Sequence, residues 1–299
     1  MVPPSVGPGN WANLKDLMAT VGASAQAAAP AAAPAKAAQK SGKAPRWTPF
    51  GHPEGAKAYR YPQPTVEEGD TVEKFSRRRK IIAEHMVISQ SVSPHVVTVA
   101  EIDMTNIVKL RNAHKKRLKA QGISVTYLSF VLKATVEALM EYPQMNAVVG
   151  DGEVILKKNI HLGCAVETPA GLVVPVIRDA NSLNLVGLSM SLGRLAKKAR
   201  DGKLEPDDVN GGTFTVTNPG LKGNLYGGAI INQPQIGIVR MGEIKKRPMV
   251  ITRDGEDVIA IRHMMYIALS YDHRVVDGVT GNGFLFRIRE LLEAANFQL

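Results

Sequence analysis

The stretch "SYDHRVVDG", residues 270–278, lies near the C-terminus and directly follows the apolar run "VIAIRHMMYIAL" at 258–269. The β-branched and apolar residues of that run predict a strand, and the glycine that closes the motif predicts a turn. His273 and Asp277, four residues apart, are therefore expected at the exposed end of a rigid element. The question is what chemistry this histidine and this carboxylate perform in a chain with a single cysteine.

The composition is that of a globular protein. The chain has 299 residues, 44% of them hydrophobic, which is enough for one large domain or two ordinary domains with a core. Its net charge of +10 permits an anionic partner such as a nucleic acid, an acidic protein or a phosphorylated cofactor. The basic clusters at 76–80 and 114–119 contain no interleaved aromatic residues, so we predict no nucleic-acid binding.

Cysteine usage and hydropathy bear on the compartment. Cys164 is the only cysteine and cannot form an intramolecular disulfide, and no zinc-type Cys/His spacing is present, so no metal site is predicted. No window approaches the roughly 18 apolar residues that span a bilayer, and no signal peptide is recognisable. We therefore predict no membrane association and a bacterial cytoplasmic protein. The alternative is the mitochondrial matrix, although no arginine precedes Arg46 as it would in a presequence.

The region before residue 74 divides into two parts. Residues 23–45 form an Ala/Pro tract that predicts a semi-rigid linker, and we assign the whole of 23–73 to a linker and extended arm. Residues 1–22 contain apolar side chains at helical spacing from Trp11 to Val21. This short amphipathic segment is interpreted either as a peptide that docks into a partner's groove or as a remnant or helix that folds back onto the main domain.

Residues 74–299 show the pattern of one α/β domain. The first predicted helix has Ile81, Ile82, Met86 and Ser89 on one face. Helices are predicted at 76–91, from Thr105 as N-cap to about Gly122, and at 125–142, 184–201 and 279–295. Strands are predicted at 95–104, within a glycine-punctuated run at 146–177, and at 212–218, 236–244 and 258–273. Because no strict βαβ repeat is present, we expect an α/β (α+β) fold with a mixed sheet covered by helices.

A histidine held on rigid backbone near the surface suits general-base catalysis. An imidazole with a pKa near 6.5 can accept a proton at neutral pH when its tautomer is fixed and its cation is tolerated. A carboxylate such as Asp277 can satisfy both conditions. Taken alone, however, the His273–Asp277 spacing also fits a structural pair, so the motif leaves both interpretations open.

Three segments together resemble one family. "SYDHRVVDG" (270–278) resembles the C-terminal DHRxxDG signature of the dihydrolipoamide acyltransferases, the E2 core components of the 2-oxo acid dehydrogenase complexes; chloramphenicol acetyltransferases carry a related HxxxDG. "SRRRKIIAEHM" (76–86), followed by "SPHV" (93–96), is similar to the opening of the E2 catalytic domain. "GTFTVTNPG" (212–220) and "AIINQPQIGIVRMGEI" (229–244) are similar to a later E2 segment. The resemblance covers about residues 74–299 and implies a chloramphenicol acetyltransferase-like two-layer fold.

The resemblance also implies an activity and three site residues. The activity is acyl transfer between a dihydrolipoyl thiol and coenzyme A, with coenzyme A as substrate. His273 would take the proton from the attacking thiol, Asp277 would hold the histidine loop, and Thr217 would donate to the oxyanion of the tetrahedral intermediate. From the residues alone, the favoured interpretation of Thr217 is a strand residue, because it alternates with Thr213 and Thr215. The residues that contact coenzyme A are not predicted.

Other candidate residues are given lesser roles. Cys164 is the competing nucleophile, but it lies in an apolar, strand-like run, and a buried thiol is unreactive. Arg79 is considered as an ion-pair partner for Asp277, by analogy with the related acetyltransferases. The remaining histidines singled out are predicted to be packing or surface residues: His95, His161 and His263.

The resemblance implies assembly and partners. E2 catalytic domains form homotrimers in which neighbouring chains supply the histidine and the hydroxyl residue, and the trimers build a larger cage, a 24-mer or a 60-mer. Expected partners are the E1 and E3 components and a lipoyl domain. No lipoyl domain is recognisable in the sequence, so the lipoyl group is expected in trans or from a missing domain.

Alternatives remain for the function and for the acyl group. The chain could be mainly a structural cage scaffold that organises partner enzymes. An antibiotic acetyltransferase is a further alternative, which the E2-like segments at 76–96 and 213–244 disfavour. We expect an acetyl or branched-chain acyl group, although one or two methylenes change specificity by only about 1 to 3 kcal/mol.

Overall fold

The computed structural model describes residues 64–150, 152–169, 171–220 and 223–299. The predicted amphipathic segment at 1–22 and the linker up to residue 63 lie outside the described residues. Residues 64–73, the end of the predicted arm, are exposed and contain no helix or strand.

The described chain contains α-helices at the predicted places and a short additional helix at Pro206–Val209 that was not predicted. Several of the helices are capped by a side chain. Ser76, Thr126, Asn184 and Asp277 each accept a hydrogen bond from the backbone of the first helical turn, which satisfies amides that have no partner within the helix. The helices are α1 Arg77–Val92, α2 Thr105–Ala120, α3 Tyr127–Glu141, α4 Leu185–Arg200, α5 Pro206–Val209 and α6 Gly278–Ala294.

The strands form one large mixed sheet and two small two-stranded sheets. They are β1 His95–Asp103, β2 Ala147–Val149, β3 Val154–Leu156, β4 Leu162–Cys164, β5 Val166–Thr168, β6 Gly171–Val173, β7 Val176–Ile177, β8 Phe214–Thr217, β9 Gly237–Arg253 and β10 Glu256–Asp272. The large sheet has the order β1-β10-β9-β8-β4-β7. The β9–β8 and β8–β4 pairs are parallel and the other pairs are antiparallel. The prediction of a mixed sheet covered by helices is confirmed.

The large sheet has two chemically different faces. Because successive strand residues point to opposite sides, Phe214 on β8 and Tyr271 on β10 share the apolar face and are fully buried against the helices; Phe214 meets Phe284 of α6 at 5.6 Å between ring centroids. The opposite face carries polar residues, among them Thr217 and Ser270. The segment before β9 covers part of this polar face, since the Ala229 amide donates to the Ser270 hydroxyl.

Two local predictions were wrong. Thr105 is not the N-cap of α2: the helix begins at Thr105, Met104 takes the cap position, and the Thr105 hydroxyl accepts from the His263 amide of β10 instead. On α1, Ser89 is buried whereas Ile81 is 58% exposed, because the buried contact of this helix lies near its C-terminal end, where the Ser89 hydroxyl donates to the Ile231 carbonyl at 2.6 Å.

The β9–β10 hairpin is longer than predicted. Asp254 and Gly255 at its tip both have positive φ angles, 54° and 85°, as the tightest hairpin turns require. The half of the hairpin nearer this tip pairs with no other strand among the described residues. Pro248 is tolerated there because that part of β9 has one open edge.

Candidate active site

His273 begins the turn between β10 and α6. Its amide donates to the Pro94 carbonyl at 3.0 Å, which ties the turn to the residues just before β1. Its imidazole is exposed and stacks on Tyr271, with ring centroids 6.1 Å apart and planes 28° apart. The ring is therefore held through its backbone and remains accessible to a ligand.

A charged pair brackets His273. Arg274 donates from its Nη2 to Asp272 Oδ2 at 2.6 Å, and from its Nε and its own amide to Asp272 Oδ1 at 3.0 Å. Asp272 is only 1% exposed. Burial raises the pKa of Asp272, but hydrogen bonds from Arg274 and Ser93 outweigh it and hold the pKa below its usual value. This pair was not predicted, although the alternating charges of "DHR" at 272–274 are a sequence signal for it.

A hydrogen-bond network connects this pair to α1. Gln233 Nε2 donates to the hydroxyls of Ser93 at 2.8 Å and Ser89 at 3.3 Å. His95 accepts from the Ile231 amide at Nε2, so its Nδ1 carries the proton and donates to the Ser93 carbonyl at 2.7 Å. These contacts fix the support of the His273 turn and give His95 the packing role that was predicted.

Asp277 caps α6. Its Oδ1 accepts from the Thr280 amide at 2.8 Å. The pKa of Asp277 is lowered, first by this amide and then by the Thr280 hydroxyl, and the nearby His273 adds to the effect. Asp277 forms no ion pair with Arg79 in the described part of the chain, so that suggested pairing is wrong within one chain. The backbone of α6 provides the stabilisation that an arginine was expected to supply.

Thr217 ends β8 and is half-buried. The other two threonines of the segment have occupied hydroxyls: Thr213 donates to the His161 carbonyl at 3.3 Å, and Thr215 donates to Gln235 Oε1 at 2.6 Å. The Thr217 hydroxyl forms no hydrogen bond to any described residue. Of the three, Thr217 therefore has the hydroxyl that is free to meet a ligand.

Thr217 and His273 do not meet within one chain. Thr217 is level with Arg240 on β9, which is level with Ala268 on β10, whereas β10 continues to Asp272. Four strand residues correspond to about 13 Å along the sheet, and two strand spacings add about 10 Å across it. A site that uses both side chains needs a second copy of the chain.

Cys164 is fully buried in β4, between β8 and β7. Burial raises the pKa of its thiol to about 12, so the reactive thiolate is essentially absent at neutral pH. Its predicted burial is confirmed.

A cavity of about 620 Å³ opens at the end of the sheet where β8 and β9 begin and β10 ends, which is the end that carries His273. It is basic, since His85, Lys157, Lys158 and His161 contribute to its lining, but neither His273 nor Thr217 does. His161 accepts from the Asp179 amide at 3.0 Å through Nδ1. The contacts of His161 agree with its predicted packing role.

No helix in the described ranges has both the length and the apolarity needed to cross a bilayer.

Comparison with known proteins identifies the family. The model of the 2-oxoacid dehydrogenases acyltransferase catalytic domain matches residues 67–299. The chain belongs to this family. The predicted E2 resemblance is thereby confirmed. The matched residues include both Thr217 and His273.

Curated relatives of the chain differ in the acyl group that they transfer. It is 43% identical over 242 residues to the dihydrolipoyllysine-residue succinyltransferase of the Bacillus subtilis 2-oxoglutarate dehydrogenase complex, covering 81% of this chain and 56% of that protein. It is 42% identical to the acetyltransferase of the Corynebacterium glutamicum pyruvate dehydrogenase complex, covering 76% and 34%. It is 41% identical to the lipoamide acyltransferase of the Bacillus subtilis branched-chain complex, covering 77% and 54%. The chain thus spans about half the length of these relatives or less.

Solved structures confirm the fold. The dihydrolipoamide acetyltransferase of Azotobacter vinelandii, studied for the catalytic roles of a serine, a histidine and an asparagine, has a TM-score of 0.73 and 32% identity, covering 79% of this chain and 98% of that one. A cubic core of the pyruvate dehydrogenase multienzyme complex has a TM-score of 0.73 and 33% identity, with the same coverage. The E2 catalytic-domain architecture is therefore that of this chain.

Proposed function

We propose that this chain transfers an acyl group between a dihydrolipoyl thiol and coenzyme A as the core of a 2-oxo acid dehydrogenase complex. The observation that carries the proposal is the His273 turn: an exposed imidazole on a backbone clamped by Pro94 and by the Asp272–Arg274 pair. If this base activates a substrate thiol, the reaction needs no nucleophile from the protein, which agrees with the burial of Cys164. Family membership supplies the acyl-transfer class.

In the proposed reaction, His273 takes the proton from the thiol of the acceptor. The resulting sulfur attacks the carbonyl carbon of the donor thioester, and the carbonyl π electrons move to the oxygen. The tetrahedral intermediate then collapses, the other carbon–sulfur bond breaks, and the departing sulfur takes the proton back from the imidazolium. The protein is not acylated at any stage.

Thr217 and Asp277 assist at different points. The unoccupied Thr217 hydroxyl donates to the oxyanion, a contact that gains strength only as negative charge develops. Asp277 orders the loop by capping α6, and its carboxylate lies near the imidazole of His273. The Azotobacter relative supports only the loop-ordering role, because the histidine and asparagine studied there are also four positions apart and an amide carries no charge.

We propose that the complete site forms between two chains of a homotrimer, His273 from one and Thr217 from its neighbour. Their separation within one chain supports this, as does the likeness to a cubic core. Such trimers would assemble into a 24-mer or 60-mer cage. E1 and E3 components would be partners, and a lipoyl domain would present the dihydrolipoyl group in trans or from a segment outside this sequence. The predicted compartment stays the bacterial cytoplasm.

The test is the rate of acyl transfer from acyl-coenzyme A to free dihydrolipoamide by the purified chain and by His273→Ala. Loss of a general base lowers the rate by about 10²- to 10⁴-fold. Light scattering on both proteins checks that particle size is unchanged. An intact cage that transfers no acetyl, isobutyryl or succinyl group would instead favour the scaffold function.

A further inference from the structure

Arg240 lies beside the proposed oxyanion residue. It is the register partner of Thr217 across the parallel β8–β9 pair, so the two side chains leave the same, polar face of the sheet. Arg240 is half-buried and interrupts a strand whose neighbouring positions Val239 and Met241 are core residues. The mechanism proposed above gives no role to a guanidinium at this position.

The surrounding chain holds the guanidinium in place. Nη2 donates to Asn224 Oδ1 at 3.2 Å. A Cβ added at Gly227 would lie 2.9 Å from Nη1 and 3.2 Å from Cζ, so Gly227 leaves the space that the guanidinium fills. Any larger residue at 227 would displace Arg240. The loop before β9 is therefore shaped around this side chain.

Arg240 has no acidic partner among the described residues. Glu243, three positions further along β9, lies on the same face because the strand has a bulge between Met241 and Ile244. It pairs with Lys245 at 2.7 Å, however, and is not within ion-pair distance of Arg240. An arginine offers five N–H donors, and the described contacts use one of them. A partly desolvated cation without a counter-ion is unfavourable, and the planar fork of a guanidinium matches a carboxylate in two parallel hydrogen bonds.

We infer that Arg240 binds a carboxylate at the far end of the acyl group, which makes this chain a transferase for dicarboxylic acyl groups such as succinyl. The inference rests on the proposed function, because Thr217 marks the position of the reacting carbonyl. Neighbouring strands are about 4.8 Å apart, so an acyl group whose carbonyl meets the Thr217 hydroxyl lies within reach of the long Arg240 side chain, and a succinyl group carries its carboxylate two methylenes beyond that carbonyl. Arg240 is a specificity residue and takes no part in bond making.

This inference replaces the acetyl or branched-chain expectation. The curated relatives include acetyl, succinyl and branched-chain transferases, so similarity leaves the acyl group open. An acetyl or isobutyryl group would leave the guanidinium facing apolar atoms, with its donors unpaired and partly cut off from water. A carboxylate pairs them.

The experiment compares succinyl-, acetyl- and isobutyryl-coenzyme A as donors to free dihydrolipoamide, using the assembled protein. The variants are Arg240→Gln and Arg240→Lys. Lys246→Gln is the matched control, because it removes one positive charge from an exposed position of the same strand. The measured quantity is the ratio of kcat/KM for succinyl to kcat/KM for acetyl within one preparation, which partial misfolding does not change.

We expect the wild-type protein and Lys246→Gln to prefer the succinyl donor. Arg240→Gln should lower the succinyl-to-acetyl ratio by about 10- to 100-fold, the range for a hydrogen bond to a charged group. Arg240→Lys should retain part of the preference, since it keeps the charge and loses the fork.

Three results would overturn the inference. A wild-type preference for acetyl or isobutyryl would do so, as would Arg240→Gln kcat/KM values that equal those of the wild type with every donor. An equal loss with every donor would place the guanidinium on the coenzyme A phosphates instead. In all three cases, transfer that depends on His273 would leave the proposed function intact, whereas no transfer with any donor would remove both.

Discussion

At the His273 turn, the carboxylates of Asp272 and Asp277 are both hydrogen-bonded within the same chain. At the end of β8, the Thr217 hydroxyl has no partner among the described residues, and Arg240 uses one of its five donors. In the His273 half of the proposed site, the polar groups are thus satisfied within the chain. In the Thr217 half, the hydroxyl and most of the guanidinium donors remain available to a ligand and to a neighbouring chain. A rigid base and an open oxyanion pocket suit a reaction in which substrates enter between subunits.

The largest effect tests whether the two halves work across chains. His273→Ala and Thr217→Ala should each lose about 10²-fold or more in kcat. Co-assembly of the two inactive variants in equal amounts should restore about one quarter of wild-type activity, because a quarter of the interfaces in a cyclic trimer then pair an intact His273 with an intact Thr217.

The control for this complementation is an assembly that carries a different affinity tag on each variant. Purification through both tags shows that the chains have mixed. Mixed particles without recovered activity would mean that His273 and Thr217 do not act across one interface.

The next effect concerns the finished half. Asp272→Asn breaks the charged pair below His273 and should lower the free energy of unfolding by about 1.5 to 3 kcal/mol. Since the folded-state pKa of Asp272 is lowered, its contribution is present above the ordinary carboxyl pKa and is lost as the pH falls through the folded-state value. As the pH falls below about 4, the free energy of unfolding should therefore decrease less in Asp272→Asn than in the wild type.

Denaturant unfolding measured at several pH values for both proteins checks this prediction. Arg274→Lys serves as the companion variant, because it retains the charge but not the double hydrogen bond. Parallel pH profiles for wild type and Asp272→Asn would contradict the assignment.

A smaller effect separates the two roles of Asp277. Asp277→Asn keeps an acceptor for the Thr280 amide but removes the charge beside His273, so we expect unchanged thermal stability and a several-fold lower kcat. Asp277→Ala should lower both Tm and kcat. Equal kcat values for Asp277→Asn and wild type would limit Asp277 to capping α6.

The smallest effect lies outside both halves. Cys164→Ala should leave kcat within about twofold and lower the free energy of unfolding by about 1 kcal/mol, as is typical of single substitutions. Thiol-directed reagents should not inactivate the wild-type protein, because the thiol is buried and its pKa is about 12. Rapid inactivation prevented by Cys164→Ala would restore it as a candidate nucleophile.

The features that could be predicted from the sequence are those that a local residue pattern determines. The β-branched residues at 95–104 and 258–273 predicted β1 and most of β10. The motif at 270–278 predicted that His273 and Asp277 lie in the turn after β10. Arg240 could not be found in this way, because its importance comes from the register of β9 against β8, and register is set by the packing of the whole sheet. The same limit applies to Thr217: that its hydroxyl is free and those of Thr213 and Thr215 are not depends on distant partners such as Gln235.

The pairing of β1 with β10 has a consequence for how the chain is made. β1 is translated early, yet its partner is near the C-terminus, where Ala100 meets Ile267. A ribosome must release almost the whole domain before β1 gains a neighbour, whereas the β9–β10 hairpin can close as soon as its tip emerges. Until then β1 is an unpaired edge exposed to other nascent chains. A chain that stops before residue 264 lacks both the segment of β10 that pairs with β1 and the histidine that follows it, so a chain truncated there would be unfolded as well as inactive and would not compete for assembly.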